Sequence, residues 1–276
     1  MYEHLFQPGR IGRLELKNRI IGAATVTNFA TVDGTVSDRT VAHYARRARG
    51  GAALITVEMT TFHPSGRGWV YMLNLWDDKY IPGFKRLASA IHAGGARCTV
   101  QLGHCGRQTN RSQIHMRPVA PSAVAQFPQG HPAYVLPRAL EIEEIRELVV
   151  AVAEAARRAA EAGFDGVEVH GAHGYLFHQF LSPAGNLRMD EYGGDTEGRS
   201  RFICEAIAAI KEVCGADFPV ICKIDGEEHI EGGIDTDEAV RIAGFIEKAG
   251  ADAIEVSAGC GASLPYILPP SCMPSG

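Results

Sequence analysis

The stretch Val167-Glu168-Val169-His170-Gly171-Ala172-His173-Gly174-Tyr175-Leu176 decides how the rest of the chain is read. Together with the residues before it, the run from Phe164 to Val169 predicts a short buried strand that opens into a loop. A parallel strand delivers its C-terminal end to the rim of an α/β sheet, where binding and catalytic groups collect. His170, His173 and Tyr175 are close enough along that loop to converge on one small ligand. They offer donors for an oxygen that gains charge and a phenol that can release a proton. Taken singly, His170 reads as a strand cap, His173 as a partner for a carbonyl and Tyr175 as packing. All three at one strand end, with Gly171 and Gly174 interleaved, point to catalysis.

Working outward, strand and helix patterns alternate. Apolar runs at Arg19–Ala23, Ala52–Val57, Ala96–Leu102, Phe164–Val169, Phe218–Ile224 and Ala253–Val256 predict strands, near-continuously apolar as in a sheet covered on both faces. Amphipathic segments at Asp38–Arg49, Lys79–Ala93, Ile142–Ala162, Arg199–Val213 and Thr236–Ala249 predict the helices between them. Glycines at 50–51, 94–95, 163 and 250 sit where a helix turns back into a strand. Arg10 to Lys17 could form a small hairpin. This is an α/β pattern with right-handed parallel crossovers, a TIM (β/α)8-type barrel that runs out after the sixth strand. Two long loops, Gly103–Arg138 and Gly171–Thr196, follow strands and therefore share one rim. The Pro-rich end, Leu268 to Gly276, reads as the loop after strand six, so residues 1–276 are one domain with its last βα units missing.

With 276 residues the chain can bury a full-sized core. Its net charge of −5 and scattered basic residues argue against nucleic acid or an anionic membrane as partner. No apolar run approaches a membrane span, and Met1-Tyr2-Glu3-His4 does not start a signal peptide. The cysteines are odd in number and lack a C-x-x-C pair, which suits reduced thiols in a cytoplasmic protein and no iron–sulfur or zinc site in this chain.

Several motifs resemble one family. They are Asn18-Arg19-Ile20, His43-Tyr44 with Arg47-Ala48-Arg49-Gly50-Gly51, Gln101-Leu102-Gly103-His104-Cys105-Gly106-Arg107, Pro118-Val119-Ala120-Pro121-Ser122, Ala162-Gly163-Phe164-Asp165-Gly166-Val167-Glu168 and Asn186-Leu187-Arg188-Met189-Asp190-Glu191-Tyr192-Gly193-Gly194. In order and spacing, from Phe6 onward, they resemble the Old Yellow Enzyme family of NAD(P)H:flavin oxidoreductases. The nearest likeness is the bacterial branch containing 2,4-dienoyl-CoA reductase, 2-enoate reductase and trimethylamine dehydrogenase. Members of that branch add a second nucleotide-binding domain and often an iron–sulfur cluster beyond the barrel.

The resemblance implies FMN at the rim, NAD(P)H as electron donor and reduction of the activated C=C bond of an enone or enoate. By position, Gln101 would bond the flavin pyrimidine, and backbone at Ala23, Ala24, Thr25 and Met59 would line the ring. Lys223 stands where many relatives place an arginine beside flavin N1 and O2. His170 and His173 would hold the substrate carbonyl, and Tyr175 would protonate the α-carbon. Val26 replaces the Thr or Cys of many relatives, and the family's phosphate-binding loops follow strands seven and eight, absent here. His104 and Arg107 are weaker candidates for a substrate head group. Glu58 and Glu168 suggest salt bridges beneath the rim, and Asn186, Arg188, Asp190 and Tyr192 suggest loop bracing. Two other readings remain open: a flavin-free barrel remnant serving as scaffold, or a metal site on His170, His173 and His178. The expected partner is a small molecule, with self-association through the open barrel edge or a homo-oligomer as further expectations.

Overall fold

The structure, a computed structural model, describes residues 2–111, 113–127 and 130–268. Six parallel strands form the sheet: β1 (Ile21–Gly22), β2 (Leu54–Thr61), β3 (Arg97–Gly103), β4 (Gly166–Gly171), β5 (Val220–Glu227) and β6 (Ala253–Ala258). Their spatial order equals their chain order, with every pair parallel. Helices cover the outside: α1 (Asp38–Arg49), α2 (Ile81–Ala93), α3 (Ile142–Glu161), α4 (Leu176–Leu181), α5 (Thr196–Cys214), α6 (Thr236–Lys248) and α7 (Leu264–Ile267). This is six-eighths of a (β/α)8 barrel, as the strand count predicts. The Pro-rich stretch read as a terminal loop lies outside the described residues apart from Leu268.

Local chemistry sets the boundaries. Ser37 caps α1 by accepting the Thr40 N–H, Asp195 caps α5 through Gly198, and Asp235 caps α6 through Glu238. After α1 and α3 the chain reverses through Gly51 and Gly163 at φ +101° and +88°, which an L side chain would resist. Between residues 9 and 16 the expected hairpin forms, Gly9–Ile11 against Leu14–Leu16. Leu14 and Leu16 pack on Leu54 and Ile221 and plug the N-terminal end of the barrel.

One expectation is corrected here. The strands are not uniformly apolar but alternate. Val57, Val100, Val167, Val169 and Cys222 face the helices and join the main core. Thr56, Glu58, Gln101, Glu168, His170, Lys223 and Asp225 are buried on the inner face. The Thr56–Thr99, Gln101–Glu168 and Lys223–Glu255 hydrogen bonds link neighbouring strands across that face. Polar residues are tolerated there because they satisfy one another inside the barrel.

The rim loops carry structure that periodicity does not foretell. Val119–Ala120 pairs with Arg138–Ala139 and closes the loop after β3. In the loop after β4, Phe177 and Phe180 of α4 pack against Phe202 of α5 at ring distances of 4.5 and 4.8 Å. Bracing by 186–192 is as expected: Arg188 forks onto Asp190 and donates to the Pro121 and Leu140 carbonyls, while Asn186 donates to Phe180 and Tyr192. No described helix is long and apolar enough to cross a membrane.

The sheet stays open at β6, which among the described residues has no partner beyond β5 and leaves Val256 69% exposed. An unpaired apolar strand edge is a template for association. Sedimentation of the 276-residue chain should therefore show self-association that Val256→Lys reduces, with stability changed by no more than about 0.5 kcal/mol, as for exposed sites. A monomeric parent chain would contradict this.

Candidate active site

The inner face of β3–β6 converges toward the rim. On β4, Glu168 and His170 point inward at alternate positions, and the chain then turns through His173 into Tyr175, directly before α4. The sequence-predicted trio does come together: the His170 ring lies 5.3 Å from that of His173 and 4.8 Å from that of Tyr175. His173 holds a left-handed backbone, φ +62°, unusual for a non-glycine. Asp225 holds that turn by accepting the His173 N–H at 2.9 Å, and Ser257 meets His173 Nε2 at 2.6 Å. Neither residue was singled out from the sequence. The alternation that selects Lys223 on β5 and Glu255 on β6 also selects Asp225 and Ser257, two residues on.

Both imidazoles are neutral near pH 7. Burial, then His173 and Lys223, hold His170 well below the ordinary histidine range. Burial and Lys223 bring His173 down to about 4. The His170 side chain makes no hydrogen bond among the described residues, and its Nδ1 is buried without a partner. Such an orphan is costly unless a ligand completes it. Burial raises the Tyr175 phenol, so it is protonated and able to donate. Tyr175 packs on Met59, Met72 and Cys105 and lines a cavity of about 650 Å³ with Val26, Asn28, Trp69, Val70, Tyr71 and Gln113.

Beneath this lies a polar cluster inside the barrel. Gln101 donates to Glu168 at 2.5 Å, and Lys223 donates to Glu255 at 2.7 Å. Glu168 and Glu255 also lie close enough that the charge of each bears on the other. Burial, then the charge of Glu255, pushes Glu168 up to about 8. Hydrogen bonds from Glu168 and Lys223 outweigh burial and hold Glu255 low. Among the described residues, Glu58 and Glu168 make none of the expected salt bridges. Glu58 instead accepts the Thr27 N–H and hydroxyl and the Tyr44 hydroxyl, because the loop after β1 supplies donors and no cation.

Other expectations are corrected. His104 is fully buried, with Nε2 on Ser65 and Nδ1 accepting the Gly106 N–H, so it braces the loop and leaves no nitrogen for substrate. Arg107 is likewise buried and bonds Gln126, with its backbone N–H on Gln179. For the metal reading, His178 turns away: its Nδ1 accepts the Gly174 N–H and its Nε2 faces Glu228 at 3.7 Å. Among the described residues the three-residue grouping with ligand atoms within 4.8 Å is His92, Cys98 and Asp165, at the opposite end of β3.

The residues fit one end of a flavin. Beyond Gly22 the chain leaves the sheet, and the N–H groups of Ala24, Thr25 and Val26 have no hydrogen-bond partner among the described residues. Free amides, the orphaned His170, an amide at Gln101 and a cation at Lys223 suit a planar ring with a polar edge. Met59 is buried against Gly103, where a Cβ would lie 2.8 Å from Met59 Cε, so its side chain wedges the rim.

Comparison with known proteins agrees. The profile described as the NADH:flavin oxidoreductase / NADH oxidase family matches residues 4–265. The chain belongs to that family, the family of Old Yellow Enzyme. It is 44% identical to an NADH oxidase of Thermoanaerobacter brockii over all of this chain and 42% of that protein. It is 37% identical to an NADPH dehydrogenase of Clostridium acetobutylicum over 92% of this chain and 74% of that one. Among solved structures, a 2-naphthoyl-CoA reductase in complex with 2-naphthoyl-CoA superposes at TM-score 0.91 with 34% identity, over 95% of this chain and 42% of that one. Morphinone reductase superposes at 0.82 with 35% identity, over 92% and 71%. This chain thus spans less than half the length of the first relatives it matches.

The carboxyl pair gives a pH signature. Glu168 is raised from an ordinary 4.5, so the folded protein keeps a proton that the unfolded chain releases. The stability it contributes is complete below that ordinary value and lost as pH rises toward 8. Urea unfolding between about pH 5 and about pH 8.5 should show wild type losing a few kcal/mol relative to Glu168→Gln, at ~1.4 kcal/mol per unit. Parallel curves would contradict a raised Glu168.

Proposed function

We infer that the chain carries the flavin and substrate face of an FMN-dependent NAD(P)H oxidoreductase that reduces an alkene conjugated to a carbonyl. The observation that carries this reading is the buried, unpartnered His170 beside neutral His173 and protonated Tyr175, directly above Gln101 and Lys223.

When bound, FMN supplies the hydride, received from NAD(P)H and delivered to the β-carbon of the alkene. Everything else falls to the chain. Lys223 and Gln101 hold the flavin's polar edge, where a cation offsets the negative charge of the reduced ring. Backbone at Ala23, Ala24, Thr25 and Met59 lines the ring. Neutral His170 and His173 each have an N–H to give to the substrate oxygen, and two converging donors favour the charge that builds there. Ser257 and Asp225 orient His173. Tyr175 delivers its phenolic proton to the α-carbon, which completes the saturated product. Trp69, Val70 and Val26 give the cavity beside Tyr175 an apolar wall.

Tyr175→Phe keeps the packing and removes only the hydroxyl. In stopped-flow measurements on the FMN-loaded protein it should slow alkene reduction by roughly 10²-fold or more, as for loss of a positioned acid, while flavin reduction by NAD(P)H stays near wild type. Equal loss in both half-reactions, or in neither, would remove Tyr175 from the proton-donor role.

A further inference from the structure

Beside the rim cavity, on the far side of one turn, lies a second cavity of about 490 Å³, bounded by Arg111, His115, Met116, Arg117, Val135 and Leu136. Its lining holds two guanidiniums and an imidazole and no carboxylate. Elsewhere most of the chain's arginines are paired with acids: Arg86 with Asp38, Arg138 with Glu144, Arg157 with Asp78, Arg199 with Glu238. Arg111, His115 and Arg117 make no side-chain hydrogen bond or ion pair among the described residues, in a protein whose net charge is −5. Unpaired cations gathered against the net charge of a molecule mark a site for an anion. The same lining exposes Met116 by 41% and Leu136 by 54%, an apolar flank of the kind a flat ring covers.

The turn that separates the two cavities is fixed. Ile114 is buried, its N–H and that of Gln113 close on the Asn110 carbonyl, and the Arg111 N–H reaches across to the Ala133 carbonyl. Gln113 faces the rim cavity while its neighbours Arg111 and His115 face the second one. A single elongated molecule could therefore occupy both, its reacting end by Tyr175 and its charged end among the arginines.

We propose that this second cavity binds the phosphorylated adenosine end of a nucleotide-tailed reactant. The phosphates are held by Arg111, Arg117 and His115, and the purine lies on Met116, Val135 and Leu136. Guanidinium forks match phosphate oxygens in geometry and charge. Placing the reacting end at the rim rests on the proposed function; the adenosine phosphate site does not. Two sources share this chemistry, the acyl thioesters of coenzyme A and the nicotinamide donor itself.

Calorimetric titration of the full chain with coenzyme A and, separately, with NADP+ tests the site and distinguishes its sources. The expected result is binding of at least one, weakened roughly tenfold or more in Arg111→Glu/Arg117→Glu and also by added salt, as contacts to phosphate require. Arg111→Gln/Arg117→Gln provides the same test without charge reversal, should the glutamate pair disturb folding. Tight coenzyme A with weak NADP+ assigns the site to a thioester substrate, and the reverse assigns it to the electron donor. Binding of neither, or binding that both double variants leave intact, overturns the proposal. Because Tyr175→Phe leaves the arginines untouched, loss of the flavin reading would appear there and not in these titrations.

Discussion

A buried carboxyl, a second one half-buried on the edge strand and one lysine between them set the charge balance of the barrel interior. Glu168 on β4 and Glu255 on β6 face each other across β5, and Lys223 neutralises one of them. Burial and the charge of Glu255 hold the other carboxyl, Glu168, in its protonated form near neutral pH. Glu168 also accepts from Gln101, so the orientation of that amide on β3 depends on the same pair. Four strands are thereby registered by polar contacts on the inside and by apolar packing on the outside. An apolar filling would hold the strands as well, but it would present no charge or amide toward the rim.

The rim is built on that base. Lys223 and Asp225 are two residues apart on β5, as are Glu255 and Ser257 on β6, so one face carries both the interior cluster and the groups that orient His173. The left-handed turn at His173 costs backbone free energy, and Asp225 offsets it with a hydrogen bond to the strained N–H. What results is a neutral histidine pair, His170 buried and His173 partly so, beside a protonated tyrosine that lines the rim cavity.

Much of this was legible in sequence, for identifiable reasons. Helices such as α1 emerged at their observed bounds because amphipathic period, Ser37 cap and terminal glycines all agree. The His170–Tyr175 trio was legible because it sits within six residues of one strand end. Gln101, Glu58, Glu168 and Lys223 were legible one by one, but their common inner face was not, because residues such as Thr56 and Thr99 sit within apolar runs that hide the alternation. Asp225 and Ser257 lie far from the trio in the chain and approach it only through the strand register. His104 and Arg107 misled because a histidine and an arginine in a rim loop look available until the loop's own amides and hydroxyls are counted. The cationic cavity at Arg111 and Arg117 had no motif at all, since it forms from two segments of one long loop.

In the proposed function Lys223 meets the polar edge of a bound flavin. The midpoint potential of FMN in the loaded protein, compared between wild type and Lys223→Met, tests it most directly. Removing a cation from beside the reduced ring should make the potential more negative by tens of millivolts, where about 30 mV corresponds to ~1.4 kcal/mol for a two-electron couple. A potential that is unchanged, or that rises, would place the flavin elsewhere and contradict the account.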